Sequence, residues 1–465
     1  MTTFRLFRHY IRLPFLLLGF IEFIILLLAV YVATWIRFTG DLTEFEGLLP
    51  RAFVFAAVIM TSMVGVGLYQ PGARGGTTAL LLRLAVSLLG AALVLGLLYF
   101  FLPYLLSLGR AVLIISVVIA LVSITAIRMV FTQFVDQRAI KRRVLVLGAG
   151  RQAALIEELQ NNPSSSFGFD IYGFARTRGD RPVVEASRTI EINTSLWQFM
   201  QEHRLDEIVV AMDDRRKGFL VEELLDCRMS GIDVVDIITF FERETGTIRI
   251  DLVQPSWFVF ADGFKLKGGD RFLHRGLDIA GSLVLLLLGT PFMLATVIAI
   301  KLEEGLKAPI LYKQTRVGRY NREYELFKFR SMYVNAEAIG EARWAAEKDP
   351  RVTRTGGVIR KFRIDEIPQV FNVLRGEMSL VGPRPERPQF VQDFRRNIPY
   401  YDDRHRVRPG ITGWAQLNYP YGSSVEDTIQ KLQYDLYYIK NGSLFLDLLI
   451  LLQTAEVILW GKGAR

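Results

Sequence analysis

Cysteine is all but absent, with Cys227 the only one in the chain. A single thiol excludes an intrachain disulfide and any cysteine-based metal site. It reads as a buried, inert side chain. Histidine is scarce too, at positions 9, 203, 274 and 405. Four residues scattered so widely do not make a His-rich metal centre. Acidic residues are outnumbered, 47 Asp and Glu against 56 Lys and Arg, for a net charge of +9. That balance suits anionic lipid, phosphorylated ligands or nucleic acid. Apolar residues are abundant: 51% of the 465 residues are hydrophobic. The mean hydropathy is positive, which is unusual for a soluble enzyme and points to segments within a bilayer. Lipid and phosphorylated ligands are therefore favoured, and no nucleic acid is expected.

Four long apolar segments open the chain, at 14–36, 49–69, 79–102 and 111–134. Each has about the 20 residues needed to cross the hydrocarbon core as a helix. Arg83 and Arg128 fall near segment ends, where they are expected to snorkel to the interface. The first segment is too long for a cleavable signal peptide, and no small-residue cleavage site precedes Trp35 and Arg37. Arg5, Arg8 and Arg12 precede it, and Asp41, Glu44 and Glu46 follow it. Arg74 lies in the second loop, and Arg138, Lys141, Arg142 and Arg143 follow the fourth segment. The positive-inside rule then puts the N-terminus, the second loop and everything after Gln137 in the cytoplasm. A multi-pass protein of a cytoplasmic membrane is expected.

From Arg142 the pattern changes. An aliphatic run at 144–147 leads into Gly148-Ala149-Gly150 and a helical stretch at 154–160. Strand, glycine turn and helix open a βαβ unit. Further strands are expected at 170–174, 207–211 and 233–237, which makes this a Rossmann-like parallel α/β domain. A dinucleotide site needs an acidic residue after the second strand. Here that strand runs into Ala175-Arg176-Thr177-Arg178. Arg176 or Arg178 could meet a phosphate, or could simply line a solvated turn. A nicotinamide-dependent oxidoreductase built on this turn is a rival reading, and the missing carboxylate counts against it. A regulatory or structural module fits better.

A fifth apolar stretch covers 279–300. Lys265, Lys267, Arg271 and Arg275 precede it, and Lys301, Lys307 and Lys313 follow. Both flanks are basic, so both should be cytoplasmic. A segment that enters and leaves on one side must turn, and Gly289-Thr290-Pro291 sits in its middle. The expectation is a re-entrant helix over 275–302, broken at Thr290 and Pro291, with an ordinary fifth span as the alternative. Near the C-terminus, 443–460 is apolar but interrupted by Asp447, Gln453 and Glu456. It is expected to lie in the interface as an amphipathic helix. The layout is thus a four-span bundle at 1–136, an α/β domain at 137–255 and a mostly α catalytic domain at 256–465.

Between the last two apolar stretches the chain is dense in arginine. It carries KFRSM at 328–332, DPR at 349–351, RTGG at 354–357, and RKFRIDEIPQ at 360–369. VGPRPE at 381–386 and RPGITGW at 408–414 follow. Arginine forks match phosphate oxygens, and Gly and Pro fix turns that bring backbone donors close. Asp365 falls where a helix at 366–374 should begin. A helix N-terminus attracts phosphate and keeps a carboxylate ionised, which suits a nucleophile or an Mg²⁺ ligand. Two adjacent carboxylates with a divalent ion could neutralise a diphosphate. The plain alternative is that Asp365 caps a helix and Glu366 fills its first turn. Tyr419, Tyr421, Tyr434, Tyr437 and Tyr438 could be membrane-interface anchors. Residue chemistry alone says phosphate-handling membrane enzyme and stops there.

From about Arg271 onward the chain resembles the bacterial sugar transferases, the polyprenyl-phosphate hexose-1-phosphate transferases or monotopic phosphoglycosyl transferases. The resemblance is carried by KFRSM at 328–332, DPR at 349–351, DEIPQVFNVLRGEMSLVGPRPE at 365–386, RPGITGWAQ at 408–416 and YDLYYIKN at 434–441. Four spans plus an α/β domain resemble the long form, of the exopolysaccharide-initiating type. The resemblance implies that Asp365 attacks the sugar-linked phosphorus of a UDP-sugar and releases UMP. Undecaprenyl phosphate would then attack the phosphosugar-aspartyl intermediate. It implies Mg²⁺ at Asp365 and Glu366, with Glu366 positioning the metal or activating the acceptor. Lys328, Arg330, Arg360 and Arg384 become candidate phosphate contacts, and Pro383 and Pro385 would shape the loop carrying Arg384. The family's helix usually breaks at Ser-Pro, where this chain has Thr290-Pro291. Membrane lipid would surround the enzyme, and later polysaccharide assembly enzymes would take its product. A homodimer is compatible with the sequence, though no feature calls for one. A non-catalytic scaffold for polysaccharide export is the other rival, and the intact Asp365-Glu366 and Arg384 oppose it.

Overall fold

A computed structural model of the chain describes residues 3–6, 9–39, 45–69, 76–106, 108–135, 141–161, 168–177, 181–214, 220–264, 268–334, 350–420, 422 and 424–459. Arg74, Arg138, Arg178, Lys265, Lys267, Asp349 and Tyr421 lie outside them. Contacts divide the chain into two units, Met1–Leu6 with Tyr10–Gly246 and Phe7–His9 with Thr247–Arg465.

The first unit holds four long apolar helices, α1 Leu13–Phe38, α2 Leu48–Gly65, α3 Gly76–Phe101 and α4 Arg110–Val135. They share a core that includes Leu26, Phe55, Ile59, Met63, Leu84 and Ile124. Their outer faces are apolar as well, with Phe20, Leu89, Leu93, Phe100, Ile114 and Val122 exposed. Helices apolar on every side belong in a membrane. One expectation fails here. Arg128 does not snorkel outward. It is 5% exposed, and its guanidinium forks onto Glu22 of α1 at 2.6 and 2.9 Å and donates to Leu68 O at 2.7 Å. Tyr69 also donates to Glu22. A carboxylate inside an apolar bundle needs a cation more than the cation needs the interface.

The same unit contains the α/β sheet. Its strands are β1 Arg142–Leu147, β2 Phe169–Ala175, β3 Thr189–Ile190, β4 Glu207–Val210 and β5 Asp233–Asp236, in the order β3-β2-β1-β4-β5, all parallel. Helices α5 Arg151–Asn161, α6 Leu196–Glu202, α7 Val221–Met229 and α8 Ile237–Thr245 complete it. The central strands are continuous aliphatic runs because a parallel sheet is covered on both faces. The two-residue β3 is too short to announce itself in sequence. Cys227 is buried on α7. Burial, then the charges of Glu223 and Asp226, push its thiol up to about 11, so it is inert.

The second unit is built around α9, Gly268–Glu304. Helical hydrogen bonding runs on through Thr290 and Pro291, where a break was expected, and Pro291 lies inside the helix. Proline removes one backbone bond without stopping a helix, and Thr290 Oγ1 donates to Leu286 O at 2.5 Å just ahead of it. One stripe of α9 is buried along its length, through Asp278, Ser282, Gly289, Thr296 and Ile300. The rest exposes Leu283, Leu287, Phe292, Leu294 and Ile298. Five helices among the described residues, α9 included, are long and apolar enough to cross a membrane.

Behind α9 come a β-hairpin, β6 Leu311–Val317 with β7 Glu323–Phe329, and then α10 Arg354–Lys361. A 3₁₀ turn at Ile364–Gln369 leads into α11, Val370–Arg375. Strand β8 Ser379–Val381 pairs in parallel with β9 Gly410–Thr412, with α12 Pro388–Asn397 between them. Helices α13 Val425–Asn441 and α14 Leu444–Leu459 close the unit. Two polar residues of α14 turn inward: Asp447 accepts from Tyr438 at 2.8 Å and meets His274 at 2.5 Å, and Thr454 bonds Thr412 at 2.7 Å. Tyr437 and Tyr438 are core residues rather than interface anchors, with Tyr437 stacked on Trp414.

Candidate active site

The Asp365-Glu366 pair sits in the first turn of the 3₁₀ segment. The predicted α-helix at 366–374 starts only at Val370. The N-cap position is Arg363, held at φ 57°, and no side chain caps the turn. Asp365 is therefore not a helix cap. It is buried, and among the described residues no hydrogen-bond partner reaches its Oδ1. Glu366 is engaged instead. Its Oε1 accepts from Lys328 Nζ at 2.8 Å and Arg384 at 3.0 Å.

Three elements bring these groups together. Lys328 comes from β7. That strand is fastened to α11 by Asn372, which is fully buried. Its Oδ1 accepts from Phe327 N at 3.1 Å, and its Nδ2 donates to Glu325 O and Glu377, both at 2.7 Å. The carboxamide thus pairs with β7 as a neighbouring strand would. Arg384 comes from the loop after β8. Gly410 N donates to Pro383 O at 3.0 Å, Arg404 to Arg384 O at 2.9 Å, Arg316 to Pro385 O at 3.0 Å and Val317 N to Glu386 O at 3.0 Å. A Cβ on Gly382 would lie 2.4 Å from Arg408 O, and one on Gly410 2.1 Å from Gly382 N. Only glycine lets these two segments close. Arg404 is itself held by buried Asp435 at 2.9 Å and by Tyr401. The turn carrying the carboxylates rests on α9, where a Cβ on Gly289 would come 3.3 Å from Ile367.

The two carboxylates differ in proton affinity. Burial, then the neighbouring Glu366 charge, push Asp365 up to about 6, against the pull of Lys328, Arg360 and Arg363. Burial works against the charge of Glu366 too, but Lys328 and Arg384 outweigh it and hold that carboxyl well below its ordinary range. Burial lowers Lys328. Of the residues singled out in sequence, Lys328 and Arg384 touch Glu366, and Arg360 acts on Asp365 by charge. Arg330 reaches neither carboxylate; its backbone N–H donates to Ile310 O at 2.9 Å. Sequence reasoning gave no role to Arg363, Asn372, Arg404 or Asp435. Arg363, Asn372 and Asp435 lie inside quoted motifs, but only the fold sets them behind the site.

A bound metal was implied at this pair. Among the described residues no group of three His, Cys, Asp or Glu gathers to hold an ion. Mg²⁺ often takes only one or two carboxylates, completed by substrate phosphates and water. The partnerless Oδ1 of Asp365 fits that demand.

Comparisons with known proteins identify the family. Residues 269–461 match the family described as bacterial sugar transferase, and residues 65–235 match one described as a CoA-binding domain. A UDP-N-acetylgalactosamine-undecaprenyl-phosphate N-acetylgalactosaminephosphotransferase of Aeromonas hydrophila is 46% identical over 264 residues, covering 56% of this chain and 61% of the relative. A UDP-glucose:undecaprenyl-phosphate glucose-1-phosphate transferase of Xanthomonas campestris pv. campestris is 30% identical over 369 residues, 74% of this chain and 73% of the relative. An uncharacterized sugar transferase of Bacillus subtilis, EpsL, is 37% identical over 197 residues, 42% of this chain and 90% of the relative. The chain belongs to the bacterial sugar transferase family.

Proposed function

We propose that this enzyme transfers a sugar-1-phosphate from a UDP-sugar to undecaprenyl phosphate at the cytoplasmic face of the bacterial inner membrane. UMP leaves, and the lipid-linked sugar begins an exopolysaccharide repeat unit. The observation that carries the reading is Asp365: buried, with no partner at Oδ1 among the described residues, and under the charge of Lys328, Arg360 and Arg363. Asp365 attacks the sugar-linked phosphorus, and the bond to the UMP oxygen breaks. An oxygen of undecaprenyl phosphate then attacks the same phosphorus and frees the carboxylate. Two in-line displacements replace one. Lys328 and Arg384 hold Glu366 ionised. A carboxyl so acidic is a poor proton acceptor, which favours a positioning or metal-holding role over acceptor activation. Asp365 and Glu366 would hold Mg²⁺, which when bound supplies positive charge to the diphosphate. Asp365→Asn is expected to abolish UMP release from UDP-sugars; normal release would exclude the covalent route.

We also propose four crossings by α1–α4 and a re-entrant course for α9. Both ends of α9 meet the same polar unit: Arg275 donates to Val373 O at 2.7 Å and Leu374 O at 2.8 Å, and Glu303 accepts from Arg354 N at 2.8 Å. A straight crossing would put the bilayer, about 30 Å of hydrocarbon, between those contacts. Cysteines placed at Arg275 and Lys313 should label from the same side, and labelling from opposite sides would exclude the re-entrant course.

A further inference from the structure

The glycine turn of the α/β domain has no part in the proposed reaction. Its geometry nevertheless speaks to what it binds. In a dinucleotide fold, the amino end of the helix after β1 receives a phosphate on its free N–H groups. Here the carboxylate of Asp213, from the segment after β4, stands at that end of α5. Asp213 Oδ2 accepts from Arg151 N at 2.9 Å, and Oδ1 accepts from Gln152 N at 3.0 Å. Both glycines are explained by neighbours within the chain. Gly148 has φ +127°, and a Cβ there would lie 2.4 Å from Ala211 O. A Cβ on Gly150 would lie 2.1 Å from Asp213 Oδ2. The carboxylate therefore lies over the turn, where a phosphate would have to come. The turn's remaining carbonyl is also taken, since Ala149 O accepts from Val183 N at 2.9 Å. Directly after β2 the described residues are Arg176 and Thr177, and neither is the acidic residue a ribose would need.

We infer that Asp213 is an internal ligand of the glycine turn, and that this domain accepts no phosphate from coenzyme A or a dinucleotide. The matched CoA-binding description does not fit this turn. A negative side chain at a helix amino end does what a bound phosphate would do: it satisfies orphan donors and meets the helix dipole. An external phosphate must first displace it and then face its charge.

The test is hydrogen–deuterium exchange on the full-length protein in lipid nanodiscs. In the wild type, millimolar coenzyme A, NAD⁺ or inorganic phosphate should leave exchange at 148–156 unchanged. In Asp213→Ala, the Arg151 and Gln152 amides should exchange about tenfold faster, as expected for the loss of a cap. Inorganic phosphate should slow them again in the variant alone. Saturable protection of the wild-type turn by coenzyme A or NAD⁺ would overturn the inference. So would a variant that exchanges like the wild type, or one that phosphate does not slow. Should Asp213→Ala fail to fold, the wild-type titrations still decide.

Discussion

Asp365 and Glu366 are adjacent in sequence yet differ in proton affinity because different neighbours face them. Nucleophilic attack needs Asp365 ionised. Its carboxyl sits near 6, above the ordinary range, so it gains a proton as pH falls through 6. The kcat/KM for UMP release should be flat above that value and fall about tenfold per pH unit below it. Lys328 pulls this pKa down, so Lys328→Met should move the acid limb to higher pH as well as slow the reaction. A limb that stays in place would mean that Lys328 does not act on the nucleophile. Asn372 works one step further back. Asn372→Ala would leave Phe327 N–H and Glu325 O without their side-chain partner, at a cost of about 1–3 kcal/mol. It should lower kcat more than it raises KM, because β7 would no longer hold Lys328 against Glu366.

At the scale of elements, the loop 382–386 is positioned by groups that make no contact with Asp365 or Glu366. Arg404 spans Arg384 O, Tyr401 and Asp435 with one fork. Lysine cannot reproduce a fork, so Arg404→Lys should reduce kcat while the α/β domain stays folded. Asp435→Asn would leave Arg404 buried without its counter-charge, and truncating one side of a buried pair typically costs about 3–5 kcal/mol. Helix α9 offers a second such support. Gly289→Leu would drive a side chain into Ile367, beside the carboxylate pair. Activity should drop with little change in membrane insertion, since leucine is as apolar as the faces around it.

At the scale of the whole molecule, the membrane bundle is pinned by Glu22 and Arg128. Arg128→Ala leaves Glu22 uncompensated inside the bundle and should be more damaging to thermal stability than the double change Glu22→Leu with Arg128→Leu. A double variant weaker than the single one would show that the pair contributes net attraction. The second unit carries the full candidate site. A relative matched along 90% of its length covers only 42% of this chain. Most of this chain therefore has no counterpart in that match.

The sequence by itself determined much of this protein. Long apolar runs must be helices in lipid, because only there are their backbone groups satisfied internally. Aliphatic runs flanking a glycine turn must form a covered parallel sheet. The motif blocks marked the chemistry, and Asp365, Glu366, Lys328 and Arg384 were legible as candidates through their places in blocks that resemble the family's, where residue type alone left Asp365 a plausible helix cap. What tertiary structure decided were the pairings. Arg128 turned inward to Glu22 instead of outward to the interface. The helix expected at Asp365 became a 3₁₀ turn without a cap, helical hydrogen bonding ran on through Pro291, and Asp213 filled the glycine turn. Each outcome depends on which charge or backbone group comes within hydrogen-bonding distance from far along the chain. That proximity is a property of packing, and neither periodicity nor local propensity encodes it.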